Sequence, residues 1–165
     1  MAAISVGSKA PDFTLKSANM RDIRLSESEN PITLLLFVPF AFSEVCTNEL
    51  CGVTQDLDTF KSLKARVLGI SCDSPFALKA WSDHSNIGID LLSDFDGSVA
   101  EAFGVLYDQF LGYKRVAMRA AFVIDNRQIV RRSIVSEDAR NIPDLSDIKS
   151  FLSIKFNLSI HPSAR

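Results

Sequence analysis

The sequence predicts an α/β fold with a central mixed sheet flanked by helices. Two observations lead to this prediction: uninterrupted short apolar runs, which are typical of strands buried on both faces, and intervening segments whose apolar residues recur every three or four positions. Their alternation favours a mostly parallel sheet covered by helices. A chain of 165 residues is most simply one domain, 1–165, with residues 152–165 as a candidate tail extension.

Residues 33–40, TLLLFVPF, predict the first buried strand. A helix is predicted over residues 46–63, because its apolar side chains share one face. These side chains are Leu50, Val53, Leu57 and Phe60. Arg66–Ser71 predicts the second buried strand, and Ser74 followed by Pro75 is typical of an N-cap and first helical residue, here opening SPFALKAWSDH.

The later elements include a hairpin. Asp90–Leu92 predicts a short strand, and Ser98 is predicted to cap a helix that runs through Val105. Ala121–Asp125 and Ile129–Val135 are two apolar runs joined by three residues, so we expect them to pair as antiparallel strands at one edge of the sheet.

The end of the chain has two interpretations. Pro143 is predicted to open a last helix, DLSDIKSFL. Beyond it, apolar and polar residues alternate at the spacing of a strand. The apolar positions are Leu152, Ile154, Phe156, Leu158 and Ile160. The segment is either a frayed helix end or a tail strand that pairs with a sheet edge.

Composition excludes several classes of function. A net charge of −2 argues against nucleic-acid binding, which would require a basic stripe. No apolar run reaches the roughly 18 residues that a membrane span needs. The N-terminus lacks a charged segment followed by an apolar one, so no export signal is predicted. With three cysteines and no export signal, we expect reduced thiols and a cytoplasmic protein.

Two of the cysteines, Cys46 and Cys51, lie five residues apart in FSEVCTNELC. A structural zinc site is disfavoured because it needs two further ligands in a second close pair, whereas Cys72, His84 and His161 are scattered. A permanent disulfide is also disfavoured. In an intact helix the two residues are about 7.5 Å apart along the axis, and a disulfide requires Cα atoms within about 6.8 Å. A bond between them would therefore require the helix to unwind.

The helix pattern alone leaves two roles open for Cys46. Its side chain points inward, and a free cysteine often behaves as a small buried hydrophobe. Its position at the start of a helix, however, stabilises a thiolate through unpaired N–H groups and the macrodipole. It also follows the carboxyl end of a central strand, where α/β folds carry their sites. Cys51 lies on the flank of the helix, and Cys72 is interpreted as a core thiol at a strand end.

Pro39, Ser43 and Cys46 fit the P-x-x-x-[T/S]-x-x-C signature of the peroxiredoxins, and Glu49 and Arg119 match the family's pattern too. Further segments resemble the family in the same order: APDFTL (10–15), ISCDSPFALKAW (70–81), LLSD (91–94) and FGV (103–105). The C-x4-C spacing resembles the bacterioferritin comigratory protein or peroxiredoxin Q subfamily. Ser43 in place of the commoner threonine, the extra Cys72 and the alternating tail depart from the pattern.

The resemblance implies a thioredoxin-like fold and an antioxidant thiol peroxidase that needs no cofactor or metal. Cys46 would attack hydrogen peroxide or an organic hydroperoxide and become a sulfenic acid. Lowering a thiol's pKa makes its thiolate more abundant but less nucleophilic, so the rate must come mainly from preorganised donors. Arg119 is assigned to the thiolate and the peroxide. The Ser43 hydroxyl and the Cys46 N–H are further donors, Pro39 shields the pocket, and Glu49 orients Arg119.

Cys51 is the predicted resolving thiol, with Cys72 or an external thiol as alternatives. It would form a redox-active disulfide with Cys46 after the helix unwinds, and the adjacent Gly52 eases unwinding because glycine weakens a helix by about 1 kcal/mol. By resemblance, a thioredoxin-like dithiol reduces the disulfide, and the protein is a monomer or homodimer. Phe42 and Trp81 are predicted walls of the substrate pocket, with core packing as the alternative.

Three other classes of function are alternatives to a peroxidase. A thioredoxin-type disulfide reductase would require C-x-x-C, which this chain lacks. A non-enzymatic peroxide sensor would use the same thiol chemistry with slow turnover. A structural thioredoxin-like binding module would not require Pro39, Ser43, Cys46 and Arg119 together.

Overall fold

A computed structural model describes residues 2–155, which form nine strands and five α-helices. The strands are β1 (Thr14–Ser17), β2 (Asp22–Arg24), β3 (Ile32–Phe37), β4 (Ala65–Ser71), β5 (Asp90–Ser93), β6 (Leu106–Tyr107), β7 (Val116–Ala117), β8 (Arg119–Asp125) and β9 (Val130–Ser136). The helices are α1 (Glu44–Gln55), α2 (Leu57–Ser62), α3 (Pro75–Ser85), α4 (Ser98–Ala102) and α5 (Leu145–Lys155).

Seven strands form one mixed sheet in the order β2-β1-β5-β4-β3-β8-β9, and β6 and β7 pair separately. The central strands β3, β4 and β5 are parallel, whereas β8 and β9 form an antiparallel hairpin beside β3. The predicted α/β architecture with its mixed sheet and late hairpin is confirmed. The expectation that the sheet is mostly parallel is wrong, because four of its six strand pairings are antiparallel. The sequence pattern did not predict β1, β2, β6 and β7, because strands of two to four residues are too short to show a period.

The side chains of β3 alternate between two cores, one on each face of the sheet. Leu34 and Leu36 pack against the layer that contains α1, α2, α3 and α5. Leu35 and Phe37 face the opposite layer, which contains α4. There the Phe103 ring lies 5.4 Å from that of Phe37 and 5.2 Å from that of Phe122. The uninterrupted apolar run of β3 is explained by burial on both faces.

The single helix predicted over residues 46–63 is two helices. The first begins at Glu44 and ends at Gln55, and Asp56 leaves helical geometry with φ −92° and ψ 5°. Its carboxylate accepts from Lys149 Nζ of α5 at 2.9 Å, which ties the break to a neighbouring helix. The apolar spacing continues across the break because both helices bury the same face.

Two predicted helix starts differ from the structure. Ser98 is the first residue of α4, not its cap; the buried Asp94 carboxylate instead accepts from the N–H groups at positions 99 and 100, at 3.1 and 2.8 Å. Pro143 lies outside α5, whose first turn is capped by the Asp144 carboxylate accepting from Ser146 N at 2.9 Å. The prediction for Ser74 and Pro75 is confirmed, since the Ser74 hydroxyl accepts from Ala77 N at 3.2 Å.

The strand interpretation of the tail is wrong where the structure describes it. Leu152 and Ile154 lie in α5, and Leu152 packs into the core. The other alternating residues, Phe156, Leu158 and Ile160, and also His161, lie outside the described residues. Within residues 2–155, no helix is both long and apolar enough to cross a membrane.

Candidate active site

The loop between β3 and α1 is held from two sides. Val38 N continues the strand pairing by donating to Ile70 O at 2.9 Å, and Ala41 N donates to the Asp73 carboxylate at 2.8 Å. Pro39 is buried between these two anchors. Phe42 adopts φ 66°, a conformation uncommon for a bulky side chain, so the surrounding contacts hold the turn in place. The loop thus presents Ser43 and α1 at the carboxyl end of β3.

Ser43 is the N-cap of α1, with extended backbone at φ −67° and ψ 147°. Its hydroxyl oxygen accepts from Cys46 N at 3.3 Å. The Cys46 N–H, predicted to be a donor for the peroxide, is therefore already engaged. The Ser43 O–H still has its proton to donate, because a hydroxyl can accept and donate at once.

Arg119, the first residue of β8, brings together residues that are far apart in the sequence. Its guanidinium is 1% exposed and donates from Nη2 to Cys46 Sγ at 3.3 Å, from Nη1 to the Glu49 carboxylate and from Nε to Ala139 O at 2.8 Å. All three nitrogens are used, so the planar fork has one orientation. The structure therefore juxtaposes the three residues predicted to act together, Cys46, Glu49 and Arg119.

Glu49 is 2% exposed and pairs with Arg119 through Oε2. Its other oxygen, Oε1, is buried with no hydrogen-bond partner among the described residues. Burial raises the pKa of Glu49 to about 7, because loss of hydration outweighs the positive charge of Arg119. The carboxyl group thus titrates near neutral pH.

The two predicted pocket walls have different positions. Phe42 is half exposed beside the Ser43 cap, and its ring centroid lies 6.4 Å from that of Trp81. Trp81 has no exposed surface and donates from Nε1 to Thr47 Oγ1 at 3.0 Å, so it supports Phe42 and α1 from the core instead of lining an open pocket. The prediction of Trp81 as a pocket wall is corrected accordingly. His84, the other ring beside Phe42, is exposed.

The Cys46 thiol is fully buried at 0% exposure. A substrate must therefore displace neighbouring atoms before it reaches the sulfur. Among residues 2–155, no group of three or more His, Cys, Asp or Glu side chains could hold a metal ion. At this helix start, the buried thiol can attack a small electrophile. The permanently charged guanidinium and the flanking hydroxyl can stabilise the anion that leaves.

Cys51 lies five residues along α1 from Cys46, in an intact helix, and its thiol donates to Ser85 O at 3.5 Å. All three cysteines are free thiols. The separation along the helix axis is about 7.5 Å, so a disulfide between the two requires α1 to unwind, as the sequence predicts.

Cys72 is separated from Cys46 by the sheet. Cys46 belongs to the core under α1, whereas Cys72 packs against the opposite core. Burial, and secondarily the negative charge of Asp94, raises the pKa of Cys72 to about 12. Cys72 is thus a protonated thiol on the wrong face of the sheet to reach Cys46.

Replacing Cys72 with alanine is therefore expected to leave the peroxide reduction rate unchanged and to lower the free energy of unfolding by about 1 kcal/mol or less. Peroxide consumption with a recycling dithiol and denaturant unfolding would measure the two quantities. Loss of turnover in Cys72→Ala, with turnover retained in Cys51→Ser, would contradict this expectation.

Known proteins resemble this chain over most of its length. The family model described as the AhpC/TSA family matches residues 6–133. The chain is 35% identical to alkyl hydroperoxide reductase E of Mycobacterium tuberculosis over 131 residues, which cover 78% of this chain and 83% of that protein. It is 33% identical to a peroxiredoxin of Thermoplasma volcanium, with 93% and 76% of the two chains covered. The chain belongs to the peroxiredoxin family.

As a peroxiredoxin, the protein is a thiol-dependent peroxidase. The crystal structure of peroxidoxin BcpB from Mycobacterium tuberculosis superposes with a TM-score of 0.79 at 30% identity and covers 89% of this chain and 95% of that one. This similarity agrees with the resemblance to the bacterioferritin comigratory proteins. Mycobacterium bovis AhpC, at 21% identity and a TM-score of 0.84, has the same thioredoxin-like fold.

Sequence reasoning missed three supporting contacts in this peroxiredoxin: Ala139 O on Arg119, Thr47 on Trp81 and Asp73 on the loop before α1. Asp73 lies in the segment ISCDS that resembles the family, so a signal for it existed. The contact of Ala139 is made by a backbone carbonyl, which leaves no trace in the residue type.

Proposed function

We propose that this peroxiredoxin reduces hydrogen peroxide and organic hydroperoxides through Cys46, that Cys51 resolves the resulting sulfenic acid, and that a thioredoxin-like dithiol reduces the disulfide. The observation that carries the proposal is the buried contact of Arg119 Nη2 with Cys46 Sγ at 3.3 Å, at the first turn of α1. The name of the relative alkyl hydroperoxide reductase E supports organic hydroperoxides among the substrates.

In the proposed reaction, the Cys46 thiolate attacks one oxygen of the peroxide in line with the O–O bond. Negative charge then moves from the sulfur to the leaving oxygen. Arg119 already lies beside the sulfur, so its donors need little rearrangement to hold this charge in a buried site. The free proton of the Ser43 hydroxyl supplies a further donor, and Pro39 contributes an apolar surface with no N–H of its own.

Resolution by Cys51 would break identifiable contacts. Unwinding of α1 would release the Cys51 hydrogen bond to Ser85 O and the hydrogen bond between Thr47 and Trp81. The break at Asp56 separates α1 from α2, so unwinding could stop there and leave α2 in place. A second candidate is a one-cysteine peroxidase resolved by an external thiol, a route that would not require the helix between Cys46 and Cys51 to unwind.

The compartment and assembly belong to the same proposal. We place the enzyme in the reducing cytoplasm, because three cysteines are too few for a disulfide framework. By its resemblance to the family, we expect a monomer or homodimer. A non-enzymatic sensor would use the same site without sustained turnover, so continued peroxide consumption with a recycling dithiol would make that role unnecessary.

The test is peptide mapping of reduced protein after one equivalent of hydrogen peroxide, with alkylation in denaturant. Loss of two hydrogens, linked Cys46 and Cys51 peptides and an alkylated Cys72 would support the two-cysteine cycle. Oxygen gained on Cys46 alone would favour the one-cysteine alternative. An unmodified Cys46 would contradict the proposed function.

Replacing Gly52 with alanine is expected to slow formation of the Cys46–Cys51 disulfide about five-fold, because it stabilises helical α1 by about 1 kcal/mol. The substitution fits: a Cβ at this position would lie 3.9 Å from Leu145 Cδ1, an ordinary contact. Stopped-flow oxidation with peroxide in excess would separate sulfenic acid formation, which should not change, from disulfide formation.

The matched control for Gly52→Ala is Ser150→Ala, an exposed position in α5. It raises helix propensity without touching α1. If both variants slowed disulfide formation equally, the effect would report overall stability, and unwinding of α1 would not limit resolution.

A further inference from the structure

The active site holds one cation and two acids. Arg119, Cys46 and Glu49 are each at most 2% exposed, and the guanidinium contacts both acids at once. An arginine keeps its proton in a protein. If both acids were ionised, the site would carry a net negative charge out of contact with water, which is strongly unfavourable. The two acids therefore retain one proton between them in the reduced enzyme.

The unpartnered oxygen indicates where that proton resides when Cys46 is a thiolate. Glu49 Oε1 is buried without a hydrogen-bond partner among the described residues, which is costly for a charged carboxylate. A proton on Glu49 removes that charge. The raised pKa of Glu49, near 7, agrees with a neutral carboxyl group at this position.

Few other titratable groups face this pair in the described part of the chain. Arg119 approaches Glu49 from β8, and Cys46 lies one turn before it on α1. Tyr107 of β6 senses the charge of Arg119, but its hydroxyl donates to Glu137 O at 2.5 Å. Ser43 offers a hydroxyl, which is a far weaker acid than a carboxyl group.

We propose that Glu49 is the acid that protonates the leaving oxygen of the peroxide when Cys46 attacks. The inference rests on the proposed reaction at Cys46 and adds a role to the predicted orientation of Arg119. Glu49 would act once a peroxide has displaced the atoms that cover the buried sulfur and lies beside the guanidinium.

In this step the Cys46 thiolate attacks the terminal oxygen of HO–OR, an S–O bond forms and the O–O bond breaks. The attacked oxygen keeps its hydrogen, so the sulfur becomes S–OH and is oxidised by two electrons. The electron pair of the O–O bond leaves with RO⁻, which takes the proton of Glu49 and departs as ROH. Glu49 is then a carboxylate paired with Arg119, and the net charge of the site is zero before and after the step.

The leaving group provides the test. Glu49→Gln keeps the shape and a hydrogen-bonding group but cannot supply the proton. It is expected to slow oxidation of Cys46 by hydrogen peroxide and by an alkyl hydroperoxide about 100-fold or more, the usual contribution of a general acid. Oxidation by a peracid should change less than about three-fold, because a carboxylate leaves without needing a proton.

Glu49→Asp is the second variant, since it restores an acid at a shorter reach and should recover part of the rate with hydrogen peroxide and with the alkyl hydroperoxide. Equal slowing of Glu49→Gln with all three oxidants would mean that Glu49 only positions Arg119, and no slowing would also overturn the proposal. A wild-type Cys46 that none of the three oxidises would instead refute the proposed function itself.

Infrared difference spectroscopy gives a readout that does not depend on the rate. Conversion of the Cys46 thiolate to sulfenic acid should remove a carboxylic acid C=O band and add a carboxylate band, and both signals should be absent in Glu49→Gln. Difference spectra without a carboxyl signal in the wild-type protein would overturn the proposal.

Discussion

Replacing Arg119 with methionine is expected to slow oxidation of Cys46 by hydrogen peroxide about 100- to 1,000-fold, the usual cost of removing one preorganised donor from a transition state. Arg119 donates to the sulfur at 3.3 Å and both side chains are at most 1% exposed, so bulk solvent does not take over its role. Stopped-flow oxidation at pH 7 would measure the second-order rate constant.

Stability must be separated from chemistry in this experiment. Arg119→Met alone leaves Glu49 buried without its cation, and breaking a buried ion pair costs about 3–5 kcal/mol when the remaining group stays charged. The matched control is Arg119→Met combined with Glu49→Gln, which removes both charges, compared with Glu49→Gln alone. We expect the double variant to recover stability but to react about 100- to 1,000-fold more slowly than Glu49→Gln. Equal oxidation rates of the double variant and Glu49→Gln would show that Arg119 acts on the fold and not on the reaction.

Oxidation of Cys46 and Cys51 to a disulfide is expected to melt α1, with a loss of amide protection of about 1,000-fold or more across the helix. The chain has a single tryptophan, Trp81, whose indole donates to Thr47 of α1. Its fluorescence should therefore change in the same kinetic phase. Hydrogen exchange followed by mass spectrometry would compare the reduced and oxidised proteins.

Cys51→Ser is the control for this melting, since it forms the sulfenic acid but no internal disulfide. Its α1 amides should stay protected after one equivalent of peroxide. Protection retained in the oxidised wild-type protein would mean that Cys46 and Cys51 do not bond, and the external-thiol alternative would then be favoured. Exchange in α2 provides an internal reference, because the break at Asp56 separates it from α1.

The sequence predicts the layout of this protein better than its boundaries. Apolar runs locate β3 and β4 because both faces of those strands are buried, so every residue carries the signal. The break at Asp56 is invisible to the same reasoning, since α1 and α2 continue one apolar face. The start of α4 depends on Asp94, a distant side chain that replaces the expected cap at Ser98.

The candidate site shows the same division. The family resemblance indicates which residues meet, and the structure places Cys46, Glu49 and Arg119 in contact. The face of the sheet on which Cys72 lies could also be predicted from the sequence, because Leu68, Ile70 and Cys72 alternate with residues that face the other core. The burial of Trp81 and the unpartnered oxygen of Glu49 could not be predicted from the sequence, since both depend on how several elements pack around one side chain.

The burial of Cys46 changes the meaning of chemical labelling at this thiol. Iodoacetamide and maleimides are bulkier than a peroxide, so they gain access to a fully buried sulfur only while the first turn of α1 or the preceding loop is displaced. Their labelling rate then measures how often that displacement occurs and carries little information about the nucleophilicity of the Cys46 sulfur. A proteome-wide survey with such probes would rank Cys46 by how often the first turn of α1 or the preceding loop is displaced. A low labelling rate would therefore be compatible with a fast peroxidase.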